Sequence, residues 1–187
     1  MKGYYNRPDL TAEVIDENGW FHTGDIGTWV ELHGNKFLKI TDRKKELFKT
    51  SGGKYVAPQV IENKMKESSF IEQIMIVGED RKFVSALIVP SFLSLREWAK
   101  ENGITIADNK QIVDNTKIKD LINNEIEKLN KDFGKWEQIK KFTLLAEEWT
   151  VEGGELTPTM KVKRKVVNER YRNHIEDLYK NEHEVSV

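Results

Sequence analysis

The chain has 187 residues, 38% of them hydrophobic and 33% charged, which suits one domain with a real core, or one domain plus a piece of another. Its 30 basic and 31 acidic residues leave a formal net charge of -1, so no global attraction draws it to nucleic acid or to an acidic membrane. The absence of cysteine excludes disulfides, thiolate metal sites and cysteine nucleophiles.

No apolar run approaches the roughly 18 residues that span a bilayer, and the N-terminus has no apolar signal region, so the expected compartment is the cytosol, with peripheral membrane association left open. His22, His33, His174 and His183 fall at no ligand spacing such as i, i+4, and no protein metal site is assigned.

Gly3 to Leu10 is turn-rich and polar, and Thr11 to Ile15 fits one short helical turn or a loop. Trp20 and Phe21 are expected to anchor the turn at Gly24-Asp25, where the glycine allows a tight bend and leaves the carboxylate facing outward. Such a carboxylate can accept two hydrogen bonds from a vicinal diol such as a ribose; an ordinary turn fits the same pair. His33-Gly34-Asn35 followed by Phe37, Leu38 and Ile40 reads as a strand closing a hairpin. That strand runs into five consecutive charges, Asp42 to Glu46, which fit either a solvated face or a short connector acting as a hinge. Leu47-Phe48 and a Thr50-Ser51-Gly52-Gly53 turn follow at once.

From Val56 onward the pattern is that of an α/β unit. Pro58 suits a first helical position, with Val60, Ile61 and Met65 on one face of a helix ending near Ser68. Ile71 to Val77 and Phe83 to Val89 are strands joined through Gly78-Glu79-Asp80. Ser94 and Glu97 read as a capping box for a short helix carrying Leu95, Trp98 and Ala99, stopped by Gly103. A helix from about Thr116 lines up Ile118, Ile122, Ile126 and Leu129, with Leu121 beside them, and Ile139 to Ala146 is a third strand. A last helix from about Lys163 to Lys180 repeats Val166/Val167, Tyr171, Ile175 and Leu178/Tyr179, a stripe that core packing explains. The expected fold is α/β (α+β): a short β-hairpin and a mixed central sheet of about three strands flanked by helices.

Before the last helix, Glu152 to Lys161 holds two glycines and a proline, which set up a shaped loop with Lys161 at the tip of its turn. Lys161, Lys163, Arg164 and Lys165 fit a solvated helix start or a nucleic-acid patch. Cations are poorly placed at the positive end of a helix, so the cluster also calls for an anionic partner.

Two blocks carry a resemblance. Gly19, Trp20, His22, Thr23, Gly24, Asp25, Ile26, Gly27, Trp29, Leu38, Lys39, Ile40, Asp42, Arg43, Lys44, Lys45 and Lys49 form the first, and Glu155-Leu156-Thr157-Pro158-Thr159-Met160-Lys161 the second. Together with Gly3-Tyr4-Tyr5-Asn6 and Pro8 they resemble the C-terminal portion of long-chain fatty acyl-CoA synthetases, within the adenylate-forming superfamily that also holds luciferases and aryl-CoA ligases. The resemblance implies an ATP-dependent acid-thiol ligase working through an acyl-adenylate, with ATP and CoA as substrates and Mg2+ held in a large N-terminal domain. That domain is the implied partner: residues 1–41 would be its tail, 42–54 the hinge and glycine loop, and 55–187 the mobile C-terminal domain. By resemblance Lys161 is catalytic, Asp25 and Arg43 bind ATP or AMP, Lys45 is the hinge, and Ser51, Gly52, Gly53 and Lys54 approach CoA. Met160 stands where many members of the family have glycine. As an isolated piece, the chain is expected to be inactive, and its N-terminal arm could pair with another copy. Two alternatives stay open: a ligase for acyl-carrier protein or aryl acids, and a non-enzymatic RNA- or protein-binding module.

Overall fold

The computed structural model describes residues 1–180, apart from the Asp42 side chain; His183 lies outside the described residues. It divides into two compact units, Met1–Leu47 and Phe48–Val187.

The first unit holds α1 (Pro8–Val14), with proline at its first position, and a hairpin of β1 (Asp25–Leu32) and β2 (Asn35–Arg43). Two residues make the turn, His33 at φ 50° and Gly34 at φ 76°, which is the left-handed backbone that fits the twist of antiparallel strands. The ladder slips by one residue between Ile26 and Gly27. A Cβ at Gly27 would stand 2.9 Å from the Leu38 side chain and 3.1 Å from the Lys39 carbonyl, so that position requires glycine.

None of the described side chains of this unit is buried, and Trp29, Leu32, Phe37, Leu38 and Ile40 are exposed on its hairpin. The expected anchoring of the Gly24-Asp25 turn by Trp20 and Phe21 is therefore corrected: Trp20 is 73% exposed, because the unit has no interior to receive the rings. A short polar side chain organises the preceding turn instead. The Asp16 carboxylate accepts from the Asn18 and Trp20 backbone N–H groups at 3.0 and 2.9 Å and faces His22 Nε2 at 3.0 Å.

The second unit has its own core. β3 (Phe48–Lys49) and β4 (Tyr55–Val56) form a small hairpin, followed by α2 (Pro58–Met65), β5 (Ile71–Val77) and β6 (Val84–Pro90). α3 (Phe92–Glu101), α4 (Asn109–Asp114) and α5 (Thr116–Asn130) then cross over to β7 (Ile139–Leu144), and α6 (Arg164–Arg170) and α7 (Arg172–Tyr179) complete the unit. The sheet order is β5-β6-β7, antiparallel then parallel, so the mixed three-strand sheet expected from the sequence is present. Every residue of β6 is buried, as a central strand covered on both faces requires. Ile118, Ile122 and Ile126 of α5 and Ile61 and Met65 of α2 close over the sheet.

Two local expectations change. α3 starts at Phe92, so Ser94 lies inside the helix and bonds Ser91 Oγ at 3.0 Å rather than forming a capping box with Glu97. The helix does stop at Gly103: its N–H and that of Ile104 return to the Lys100 and Ala99 carbonyls, with Gly103 at φ 67°. The last helix is two helices, because Tyr171 is buried against the Trp149 ring at φ −104°, ψ 23°, and burial overrides local propensity there. α7 is seated by Tyr179, whose hydroxyl donates to the Val77 and Phe83 carbonyls at 3.2 and 3.3 Å.

Candidate functional site

Asp25 and Arg43 are brought together. They are Cα partners at the open end of the β1–β2 ladder, and Arg43 Nε lies 2.8 Å from Asp25 Oδ1. Asp25 is thus the first residue of a strand, one quarter exposed, rather than the outward tip of a turn. Gly24 at φ 72° still makes the bend, and its carbonyl accepts from the Lys44 N–H at 2.8 Å, which extends the open end of the ladder by one bond. The pair sets a carboxylate acceptor beside guanidinium donors, a combination that can engage hydroxyl and phosphate oxygens on one ligand. Asp42 and Arg43, read in sequence as part of a connector, finish β2; Lys44 to Glu46 make the turn, and Lys45 is exposed within it.

Ser51 to Lys54 close the β3–β4 hairpin. Thr50 N–H donates to the Lys54 carbonyl at 3.0 Å, Gly53 N–H donates to Thr50 at 2.8 Å, and Ser51 N–H donates to the Arg81 carbonyl at 2.9 Å. Gly53 takes φ 74°, which accounts for glycine there, whereas a Cβ at Gly52 would meet nothing closer than 3.9 Å. No pattern in the sequence pairs Lys54 with its neighbour: its Nζ lies 5.5 Å from the centre of the Trp136 ring, a half-exposed side chain from the loop after α5.

Lys161 is exposed on a tight hairpin whose strands meet at a Leu156–Val162 bridge. Thr157 organises it: its N–H donates to the Lys161 carbonyl at 2.8 Å, its carbonyl accepts from Met160 N–H at 2.8 Å, and its hydroxyl accepts from Lys161 N–H at 3.0 Å. Met160 sits at φ 60°, in the left-handed region that favours glycine.

The expectation that the basic cluster as a whole seeks an outside anion is corrected at Arg164. Its guanidinium pairs with the Glu62 carboxylate of α2 and donates to the Ile76 carbonyl at 3.0 Å, so this cation finds its anion within the fold. Glu62 Oε1 also accepts from Ile76 N–H at 2.8 Å. Burial pushes the Glu62 carboxyl above its usual range, with Arg164 opposing that shift. A second ion pair joins Arg170 to Glu155, which is 2% exposed. Glu155 belongs to the quoted Glu155–Lys161 stretch and Arg164 to the basic cluster, but nothing in the sequence names Glu62 or Arg170 as their partners.

Among the described residues, no three His, Asp or Glu side chains converge where a cation could sit. No helix of the described residues is long and apolar enough to cross a membrane.

Residues 46–183 match the family model of the AMP-binding enzyme C-terminal domain. Among curated proteins, long-chain-fatty-acid–CoA ligase 1 of Homo sapiens is 40% identical over 182 residues, 96% of this chain and 26% of the relative. The chain therefore spans about a quarter of the length of the curated relatives it matches. Among solved structures, the adenylation domain of a carboxylate reductase from Mycobacterium chelonae superposes with a TM-score of 0.75 at 29% identity, covering 96% of this chain and 26% of that one. The A-PCP didomain of a carboxylic acid reductase from Segniliparus rugosus, solved in complex with AMP, gives a TM-score of 0.74 at 28% identity over 95% of this chain and 23% of that one.

Proposed function

The chain belongs to the AMP-binding enzyme C-terminal domain family, and from that premise we propose that it is the mobile C-terminal part of an ATP-dependent long-chain fatty acid–CoA ligase. One observation carries the choice of reaction: 40% identity along nearly the whole chain to a ligase named for that substrate class.

The reaction has two steps. A fatty acid carboxylate oxygen attacks the α-phosphorus of ATP, and the bond to pyrophosphate breaks, leaving an acyl-adenylate. The CoA sulfur then attacks the acyl carbonyl, AMP departs with the bonding electrons, and the thiol proton passes to solvent. Negative charge gathers around phosphorus in the first step, and a fixed cation there lowers the barrier. Lys161 is that cation, presented on its hairpin.

Asp25 accepts from the ribose hydroxyls, and Arg43, holding one carboxylate oxygen, lies beside the ribose and phosphate. Lys45, in the exposed turn that follows β2, is the pivot about which the second unit exchanges Lys161 for the Ser51–Lys54 loop between the steps. The backbone of Gly52 and Gly53 then lies along the pantetheine arm of CoA, and Lys54 meets its charged end.

The exposed apolar side chains of the first unit belong against the large N-terminal domain of the same enzyme; without it, the unpaired hairpin would associate with a second copy. The likeness to an A-PCP didomain favours a second reading, in which the acceptor is a carrier-protein thiol rather than CoA. Its lower identity, 28% against 40%, ranks it behind the first.

The test is acyl transfer from palmitate and ATP by a full-length ligase carrying this chain as its C-terminal quarter, with CoA and a carrier protein as competing acceptors. AMP, pyrophosphate and palmitoyl-CoA are expected; transfer to the carrier protein alone would replace the first reading by the second. The 187-residue chain by itself should form no thioester.

A further inference from the structure

Two ion pairs tie the Lys161 hairpin to the body of its unit, and neither is consumed by the reaction. The first stands just beyond the hairpin. Arg164, the opening residue of α6, reaches across to the free edge of β5, where its guanidinium completes the Ile76 carbonyl at 3.0 Å and pairs with Glu62. Glu62 in turn accepts from the Ile76 N–H at 2.8 Å. One arginine–glutamate pair thus satisfies both outward backbone groups of an edge-strand residue, which fixes α6 in register with the sheet.

The second pair holds the other strand of the hairpin. Glu155 is buried, its carboxylate accepts from Thr150 N–H at 3.4 Å, its carbonyl accepts from Lys163 N–H at 2.7 Å, and Arg170 from the last turn of α6 pairs with it. Both strands flanking Lys161 are therefore fastened to one short helix, and that helix to the sheet.

Stability alone is a weak reason for this arrangement. Desolvation of the two largely buried carboxylates offsets much of their attraction to the partly exposed arginines, and apolar residues of similar size often hold a fold as well. Direction is a better reason. A lysine has a long flexible arm, so its ammonium can be placed within a fraction of an ångström only if its backbone stem does not move, and an error near 1 Å costs about 100-fold in a reaction of this kind. We infer that Arg164 with Glu62, and Arg170 with Glu155, are positioning residues that aim Lys161 at the α-phosphorus. This rests on the reading of Lys161 given above.

The experiment measures the two half-reactions separately in a full-length ligase carrying this chain. Removing one partner alone would leave a buried charge, so each pair is replaced whole, as E62Q/R164Q and E155Q/R170Q. T157V, which removes the hydroxyl acceptor of the Lys161 N–H together with that hydroxyl's 3.1 Å bond to Thr159 Oγ1, both near the surface, is the variant least able to disturb folding. Each should slow acyl-adenylate formation, the double variants by about 10- to 100-fold, while thioester formation from pre-made acyl-adenylate changes less than the adenylation step. Backbone hydrogen exchange at Lys161 should speed up in all three. Equal loss in both half-reactions with a lowered melting temperature would overturn the inference, making the pairs structural supports only. Unchanged adenylation in the three variants, with K161A inactive in that step, would overturn the inference while leaving the reading of Lys161 intact. Full adenylation by K161A itself would remove that reading and the inference together.

Discussion

Arg43 Nε lies 2.8 Å from Asp25 Oδ1 at the open end of one hairpin, so residues at the start of one strand and the end of the next form one ion pair. The Arg43 side chain is 59% exposed, and an ion pair that exposed contributes only about 0–1 kcal/mol to stability. Asp25→Asn should therefore leave the melting temperature of the chain nearly unchanged. In a full-length ligase it should raise the KM for ATP about 10- to 100-fold, since a hydrogen bond to a charged group is worth roughly 1.5–3 kcal/mol. An unaltered KM beside a lowered melting temperature would make the pair a hairpin clasp and nothing more.

That pair also marks how far the sequence can be read. Gly24-Asp25 and the Asp42–Glu46 run were each visible, but their meeting depends on hairpin register, set by the two-residue His33-Gly34 turn and a ladder slip at Ile26/Gly27. The core of the second unit was legible because Ile118, Ile122 and Ile126 repeat at helical spacing and two apolar runs flank Gly78. The Glu62–Arg164 and Glu155–Arg170 pairs were not. They join elements far apart in the chain through single polar side chains, and no periodicity announces such contacts. Trp20 failed as an anchor for a related reason: an aromatic in sequence looks buried, yet a unit without an interior leaves it exposed.

Met160 at φ 60° explains why glycine is at home in this position. A left-handed backbone costs an ordinary side chain about 1–2 kcal/mol, part of which glycine loses again through its freer unfolded chain. Met160→Gly should thus raise stability by about 0.5–1 kcal/mol in urea unfolding, and Met160→Val, branched at Cβ, should lower it. A destabilised glycine variant would show that methionine packing outweighs backbone strain.

Glu62 links stability to pH. Burial raises its pKa in the folded chain above the unfolded value of 4.5, with Arg164 pulling the other way. Between the two values the folded chain holds a proton that the unfolded chain has released, so stability falls as pH rises through that window and levels off above the folded pKa. Glu62→Gln should flatten this slope. Unfolding midpoints of the chain and the variant, measured from pH 4.5 upward, check it; parallel profiles would assign the slope to other groups.

Lys161 offers the sharpest separation of readings, because the same exposed lysine is either surface decoration, a support for its hairpin or the cation of the first transition state. Its backbone, not its ammonium, makes the hairpin bonds to Thr157, so Lys161→Ala should leave the fold and its melting temperature intact. If the ammonium acts only when charge develops at the α-phosphorus, its loss removes stabilisation from one step. Losing a single preorganised charged donor typically costs about 100- to 1000-fold in rate, roughly 3–4 kcal/mol. Acyl-adenylate formation in a full-length ligase should fall by that factor, while thioester formation from pre-made acyl-adenylate and CoA changes little if the proposed pivot at Lys45 withdraws the lysine between the steps. Lys163→Ala, removing the neighbouring exposed cation, should spare both steps. A surface lysine would leave both half-reactions intact and a structural one would damage both together, so either result takes Lys161 out of the chemistry.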